Sequence, residues 1–398
     1  MIFMARDLNP SASQSATYEA YGNAEDYSKL ITNIEPDQTK FLSSFREAPD
    51  AKATEFSWTT EGLRPPQDNA HFEKEDYVSQ KVGSMEGLSN CVQNFQNTGY
   101  VTDTQRKVNK IYNEQDEFVR QVKNAMIGQA RDMEYMLVNG KAKQLGSESV
   151  KPRSGGIPYF MSMQNIDCTL TVADGIVSTG AVKHNLTTGD FVYFIADTMP
   201  TGLKQGLLYY VRVDATTPET KFTLYDALAD AVEGKTSAQV KPTTTGTALK
   251  IVKNNIIDLG GADDLSTDNM NDVMQMCYNR GGNPTKAIMS GAKKRRFSSI
   301  VGAIGQTKRK SGEHKMDIVV DTFQSDFGTI TAEAHRMYPD NRIDFMDMQY
   351  WETKYLTRPH EVKDLAKKGS YTEFVLEAQL GLQGTQPKAS GSLINIKR

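Results

Sequence analysis

The stretch DTQRKVNKIYNEQDEFVRQVKNAMIGQARDMEYMLVNG, residues 103–140, decides the architecture. It contains no proline. Apolar residues recur at Val108, Ile111/Tyr112, Phe118/Val119, Val122, Met126, Ala130, Met133 and Leu137, in steps of three and four that mark one face of an α-helix. Asp103 or Thr104 can cap its start and Gly140 can end it. A single helix over 103–139 would span about 50 Å. That is long for a globular domain, so the stretch is expected to be a spine.

The segments on either side are organised around it. Residues 1–25 are small and polar and read as an extended arm. YSKLITNIEPDQTKFLSSF follows as a helix-like piece broken at Pro36. Residues 53–98 read as a long two-stranded excursion. ATEFSWTT alternates, with Phe56 and Trp58 on one face; EGLRPPQDNAHFEKED is a polar tip; SMEGLSNCVQNFQNTG returns. Such a hairpin has too few apolar residues to bury itself, and a neighbouring subunit is its natural cover. After the spine, 141–160 reads as a loop ending in SGGIPYFM. Residues 163–252 are rich in Thr, Val and Tyr, with DFVYFIAD, LLYYVRVD and KFTLYDA as strands between turn signals. This is a small all-β domain, inserted with its first and last strands close together. From Asn254 the host resumes: LSTDNMNDVMQMCYNRGG is a capped helix with a glycine stop, TKAIMS a strand, SGAKKRRFSSIVG a helix, and GQTKRKSGEHK a basic loop. MDIVVDTFQ and GTITAEAHRMYP are strands. From 341 the chain is mostly strand and ends in a polar tail, GTQPKASGSLINIKR.

Composition bounds the function. The chain has 398 residues, 24% charged and 38% hydrophobic, with a net charge of -3. That is a folded composition of two or three domains, and it is not the basic balance of a general nucleic-acid coat. No run of about 18 apolar residues is present to span a membrane. The charge is uneven. Residues 1–90 carry 8 Lys/Arg against 15 Asp/Glu, and 293–315 carry 8 Lys/Arg against Glu313 alone. Acidic and basic regions of this kind can attract each other between copies. Cys91, Cys168 and Cys277 are too scattered for a disulfide framework and are expected as free thiols.

No catalytic constellation is found. Ser290-Gly291-Ala292-Lys293 matches a Ser-x-x-Lys pattern, but the chain has no Ser-Asp-Asn or Lys-Thr-Gly partner, so Ser290 reads as a helix N-cap. The glycine-rich pieces at 281–284 and 302–308 complete neither a Walker nor a Rossmann pattern. His71, His184, His314, His335 and His360 stand at no ligand spacing, so no metal and no cofactor are expected. Asp263-Asp264 precede a helix, where carboxylates suit its dipole. In a helix capped by Ser290, Phe297, Ile300, Val301 and Ile304 share one stripe. At least three of Lys293, Lys294, Arg295 and Arg296 then point to water. If Lys308, Arg309, Lys310 and Lys315 of the following loop join them at a symmetry axis, the positive charge is multiplied and calls for an anion.

FSWTTEGL (56–63), QARDMEYMLVNG (129–140), GGNPTKAIMSGAKKRRF (281–297) and YWETKYLTRPHEVKDLAKKGSYTEFVLEAQLGL (350–382) are similar to one phage head-protein family. The order of parts resembles a major capsid protein of tailed bacteriophages with the Hong Kong 97-like fold. The resemblance implies an α+β architecture: an N-terminal arm over 1–52, an E-loop hairpin over 53–98, and a P-domain with the spine helix over 99–162. An A-domain would follow over 253–335, then P-domain strands and a C-terminal tail over 336–398. The inserted β domain, 163–252, departs from the pattern. The implied function is structural, not enzymatic. Copies would form pentamers and hexamers of an icosahedral shell around double-stranded DNA, in a virion made in a bacterial host. Portal, scaffolding and decoration proteins would be partners. The axial cluster would be Lys293–Arg296, Lys308, Arg309, Lys310 and Lys315. Arg64, His71, Glu73, Lys74, Glu75 and Asp76 would make inter-subunit contacts at the E-loop tip. An encapsulin-type compartment shares the fold and is the first alternative. A hydrolase or a carbohydrate-binding protein is the second, although Trp58 and Trp351 both lie outside the β insert.

Overall fold

The expected spine is broken in two. A short helix, Asp103–Lys107, is capped by Thr102 and stops at Val108, which is extended at φ -72°, ψ 134°. The long helix is Glu117–Asn139, 23 residues or about 35 Å. The cause is a second start signal inside the apolar pattern. Asp116 accepts the Phe118 amide at 3.1 Å and holds Arg106 of the first helix at 2.7 Å. A capping carboxylate competes with helix continuation, and periodicity does not report it. These elements belong to a computed structural model that describes residues 39–397 apart from 64–69, 71–72, 75–82, 109–115, 163–164, 185, 187, 253, 262–263, 305–321 and 363–368.

The long helix lies across a four-stranded sheet ordered Arg46–Glu47, Trp351–Glu361, Tyr371–Gly384, Gln93–Thr102. In the last strand Phe95 and Val101 turn inward and the even-numbered residues turn outward. Gln129 reaches from the helix to the carbonyls of Phe95 and Leu376 at 3.3 and 3.4 Å. At its end the Gly140 backbone crosses that of Gly156, whose amide donates to Gly140 O at 2.9 Å. A Cβ on Gly140 would stand 2.6 Å from the Gly156 nitrogen, so only glycine allows the crossing. Within the expected loop 141–160, Ile157–Ser162 is a short helix that buries Ile157, Phe160 and Met161.

The hairpin pairs Glu55–Leu63 with Gly83–Cys91. Its return strand serves two sheets. It breaks at Val92, and Gln93–Thr102 pairs instead with Tyr371–Gly384. The hairpin therefore ends at 91 and not at 98.

A six-stranded sheet is ordered Asn255–Asp258, Gly391–Ile394, Ile343–Met346, Lys286–Met289, Gly328–Ala334, Thr322–Ser325. Helices Thr267–Asn279 and Gly291–Ile304 pack against it, burying Met270, Val273, Met274, Cys277 and Phe297. The first is capped by Ser266 and followed by Gly281 at φ 77°, as its sequence implies. Of the strand expected over 316–324, residues 316–321 lie outside the described residues.

Two expected boundaries are corrected. The 336–398 segment does not stay with the four-stranded sheet, because Ile343–Met346 and Gly391–Ile394 are inner strands of the six-stranded one. GSLI looked like a polar tail. In place, a Cβ on Gly391 would fall 2.4 Å from Val273, and the Ser392 hydroxyl donates to buried Asp344. Likewise 39–52 belongs to the body and not to a free arm: Phe41, Phe45, Ala48 and Ala51 are all buried. The helix-like piece and arm before residue 39 lie outside the described residues.

Residues 166–252 curl into a barrel. The seven-stranded order starts at Ile166–Asp167 and ends at Thr169–Thr171, two halves of one segment joined by Cys168. One half pairs with Lys250–Val252 and the other with Ile176–Ser178, so the circle closes on itself. Its interior holds Leu170, Val177, Val192, Phe194, Tyr209, Val211, Phe222, Leu224 and Ile251. The alternate residues Tyr193, Ile195 and Val252 face out into the main core. The turn expected at VEGKTS follows a short helix, Leu228–Glu233, which Gly234 ends at φ 77°. The barrel's neck is stapled. Asn254, just after its exit, donates to the carbonyls of Phe160 and Met161, just before its entry, at 2.6 and 2.9 Å. Deleting 163–252 and closing the neck with a short Gly-Ser linker is expected to give a folded chain with a lower melting temperature. Losing the three outward residues removes about 1.5–3 kcal/mol of burial each. A thermal melt followed by circular dichroism checks this.

Candidate assembly surfaces

The hairpin root is clamped to the body. Asn90 is fully buried, and its Nδ2 donates to Ser154 Oγ, Gly155 O and Leu382 O at 3.1, 2.9 and 2.7 Å. Its Oδ1 accepts the amides of Cys91 and Gly155, both at 2.9 Å. Every hydrogen-bonding position of the amide is used, which fixes the side chain rigidly. Trp58 Nε1 donates to Gly384 O at 3.0 Å, and Phe56 stacks on Trp58 at 5.8 Å as its alternation implies. Lys388 meets Glu86 at 2.7 Å, and Lys143 binds both Glu55 and Ser89. Further out, Met85 is 73% exposed. Of the expected tip contacts, Glu73 and Lys74 are exposed in a turn. Arg64, His71, Glu75 and Asp76 lie outside the described residues.

The long helix outruns its own cover. Val119, Met126 and Met133 are seven residues apart and stand nearly one above another. Met133 is 2% exposed, but Met126 is 47% and Val119 58% exposed. The same apolar flank is core at one end and bare at the other. Among the described residues nothing covers the bare end.

The basic run divides. Ser290 caps its helix, accepting the Lys293 amide at 3.3 Å, so its hydroxyl is occupied as a cap. Lys293 is buried, and its ammonium meets Asp264 at 3.4 Å and the Lys397 carbonyl. Arg296 meets the same carboxylate at 2.8 Å. Burial pushes the Asp264 carboxyl up, but the Leu265 amide and the two cations outweigh it and hold it below the usual range. Asp264 thus serves the cations and not the dipole of the helix that follows, where Asp268 sits in the first turn. Lys294 lies 5.2 Å over the Phe297 ring, and Arg295 is exposed. Phe297 is buried, with Ile300 and Val301 packed beside it. Asp263, Lys308, Arg309, Lys310 and Lys315 lie outside the described residues.

Two buried joints escape sequence reasoning. Glu134, fully buried on the long helix, accepts the Phe41 and Leu42 amides at 2.8 and 2.9 Å and lies 2.8 Å from His335 Nε2. His335 Nδ1 accepts the Met337 amide at 3.2 Å, so the proton facing Glu134 sits on Nε2. Next to it, Asp344 accepts the Tyr338 and Ser392 hydroxyls, and Arg342 Nε lies 2.9 Å away, off the hydrogen-bond direction. Arg342 also donates to Val138 O at 2.6 Å, tying the six-stranded sheet to the long helix. The second joint seats the barrel. Arg280 packs against both the Phe191 and Tyr193 rings, 5.3 and 5.2 Å from their centroids, where the two rings meet edge to face, and burial lowers its pKa to about 10. A guanidinium held against aromatic rings keeps its charge by their quadrupoles. Asn279 donates to Tyr193 Oη at 3.2 Å.

Both joints hold separate elements together. Cys91, Cys168 and Cys277 are all buried free thiols, and burial pushes the last two up to about 12. Among the described residues no group of His, Cys, Asp and Glu could hold a metal ion, and no helix is long and apolar enough to cross a membrane.

The family described as SU10 major capsid protein matches residues 12–397. Among solved structures, the capsid asymmetric unit of cyanophage A-1(L) superposes with a TM-score of 0.56 at 9% identity, covering 96% of this chain and 99% of that one. The capsid chain of an empty GTA particle gives 0.51 at 11% identity, covering 98% and 100%. A chain of Mycobacterium phage Adephagia gives 0.51 at 9% identity, covering 96% and 98%. At such identities the likeness is one of fold, the α+β fold of Hong Kong 97-like capsids. No curated protein matches by sequence.

Proposed function

We propose, from the premise that this chain belongs to the SU10 major capsid protein family, that its copies close the head as pentamers and hexamers around double-stranded DNA. As a major capsid protein the chain forms the phage head shell; it is a structural component of the virion and not an enzyme. That membership sets aside the hydrolase and carbohydrate-binding readings, and a phage head takes the place of an encapsulin-type compartment.

The observation that supports the capsomer reading is the helix flank. An apolar stripe that is core at Met133 and bare at Met126 and Val119 suits a chain whose neighbours finish its burial. In this reading the hairpin 55–91 is the E-loop, and the long helix with the four-stranded sheet is the P-domain. The six-stranded sheet is the axial A-domain and the barrel is an inserted domain. The clamped root of the hairpin would hold its tip, with Arg64, His71, Glu73, Lys74, Glu75 and Asp76, out toward a neighbour. Lys293 and Arg296 both belong to the internal pairing with Asp264. The axial charge is therefore assigned to Lys294 and Arg295 with Lys308, Arg309, Lys310 and Lys315, and Arg296 of the expected cluster is set apart with Lys293. Portal, scaffolding and decoration proteins are further proposed partners.

Electron microscopy of the purified chain under assembly conditions is expected to reveal closed particles with five- and six-fold capsomers. A chain that stays monomeric under every condition would sink the reading. Neutralising Lys308, Arg309 and Lys310 together is expected to leave the melting temperature unchanged and to lower DNA retention. The axial ring fails if neither assembly nor retention moves.

A further inference from the structure

The strand Gln93–Thr102 is the outer strand of the four-stranded sheet. It runs for 10 residues in unbroken antiparallel register, from Gln93 opposite Leu380 to Thr102 opposite Tyr371. Just past it the Asp103 amide donates to Ser370 O at 3.1 Å, continuing that register. In an antiparallel ladder hydrogen-bonded pairs alternate, so the odd-numbered residues turn their backbone groups to the inner strand. The amides and carbonyls of Asn94, Gln96, Thr98 and Tyr100 then point off the sheet. Among the described residues none is hydrogen-bonded to them.

Exposed strand edges are ordinarily blunted with charge, proline or a bulge, because a bare one pairs with any strand that meets it. QNFQNTGYVT has no charged residue and no proline, and its register has no bulge. Asn94, Gln96, Thr98 and Tyr100 are all exposed, Tyr100 at 68%. A chain that assembles into a shell would aggregate through such an edge unless the shell itself used it.

We propose that this edge is a contact between two copies of the chain, whose Gln93–Thr102 strands pair antiparallel about a two-fold axis. It rests on self-assembly of the chain into a shell. The edge is complementary to itself. Setting Asn94 opposite Tyr100 of the second copy, and Gln96 opposite its Thr98, satisfies every outward amide and carbonyl of the four residues in one register centred on Asn97. The same register sets Phe95 opposite Gly99 of the second copy, so no second bulky side chain opposes it across the pair. No like charges meet across the axis, and the two four-stranded sheets become one continuous sheet. A different strand of a neighbouring copy would not bring Gln96 and Thr98 of two chains together.

The experiment uses the full chain carrying Gln96→Cys and Thr98→Cys together, assembled into particles and mildly oxidised. The native cysteines are buried and give no background. Disulfide-linked dimers are expected on a non-reducing denaturing gel, and each single variant is expected to stay monomeric because its new thiol faces no other. Intact particles whose doubly substituted chains run as monomers would overturn the edge contact and leave the shell function standing. Thr98→Pro is the second arm. It removes an outward amide that the inner ladder does not use, a position where edge strands tolerate proline. Its melting temperature is expected to match that of the unmodified chain, and its particle yield to fall by roughly tenfold or more. Full yield of particles from Thr98→Pro would overturn the proposal as well.

Discussion

Replacing Phe297 with aspartate is expected to leave no folded chain in the soluble fraction. Phe297 is fully buried under the six-stranded sheet, edge-on to Phe323 at 6.3 Å. Removing the ring costs about 3–5 kcal/mol by itself. The incoming carboxyl adds a buried group with no partner, worth a few kcal/mol more even when protonated. Together these approach the whole stability of a typical domain, about 5–15 kcal/mol. Lys294 lies over the same ring but at the solvent side, so it cannot follow an aspartate inward without losing its own hydration. Phe297→Leu is the control and is expected to fold. Soluble yield and a far-ultraviolet melt of the two variants decide the matter.

Glu134→Ala is expected to destabilise the chain by about 3–5 kcal/mol, the usual result of removing one member of a buried charged network. The loss is large because three donors converge on one carboxylate: the Phe41 amide, the Leu42 amide and His335 Nε2. All three stay buried when the acceptor goes, and each orphaned group costs about 1–3 kcal/mol. Phe41 is itself fully buried and stacks on His335 at 5.4 Å, so its surroundings loosen together. Glu134→Gln keeps one acceptor oxygen and turns an amine toward an amide, which places its loss between the two. Urea denaturation of the three chains measures the order. An alanine variant as stable as the unmodified chain would remove the joint from the account.

The parts that could be read in the sequence are those whose signal is local. Ser266 and Gly281 bracket a helix because a cap and a left-handed stop act within a turn. The barrel strands stand out because Val192 and Phe194 face one core while Tyr193 and Ile195 face another. The Ser290 cap was legible for the same reason. What escaped depends on distant partners. Asn90 is indistinguishable in the sequence from any turn asparagine until Leu382, 292 residues away, supplies its acceptor. Lys293 and Lys294 differ only in helix phase, and it is Asp264 that draws the first inward. Glu134 could not be told from a solvated helix carboxylate. The break at Val108 was hidden because the apolar pattern runs straight through it.

The position of Gly391–Ile394 bears on how the chain is made. A ribosome delivers residues in order, and among the described residues Asn255–Asp258 has only this strand as its neighbour in the sheet. The strand on the far side, Ile343–Met346, waits for it too. Until residues 391–394 emerge, the edge strand Asn255–Asp258 stays separated from the rest of the six-stranded sheet, and a nascent or prematurely terminated polypeptide cannot complete its body. Chains stopped short of this strand are therefore expected to stay out of the shell, which would make the order of translation a proofreading step for its building blocks.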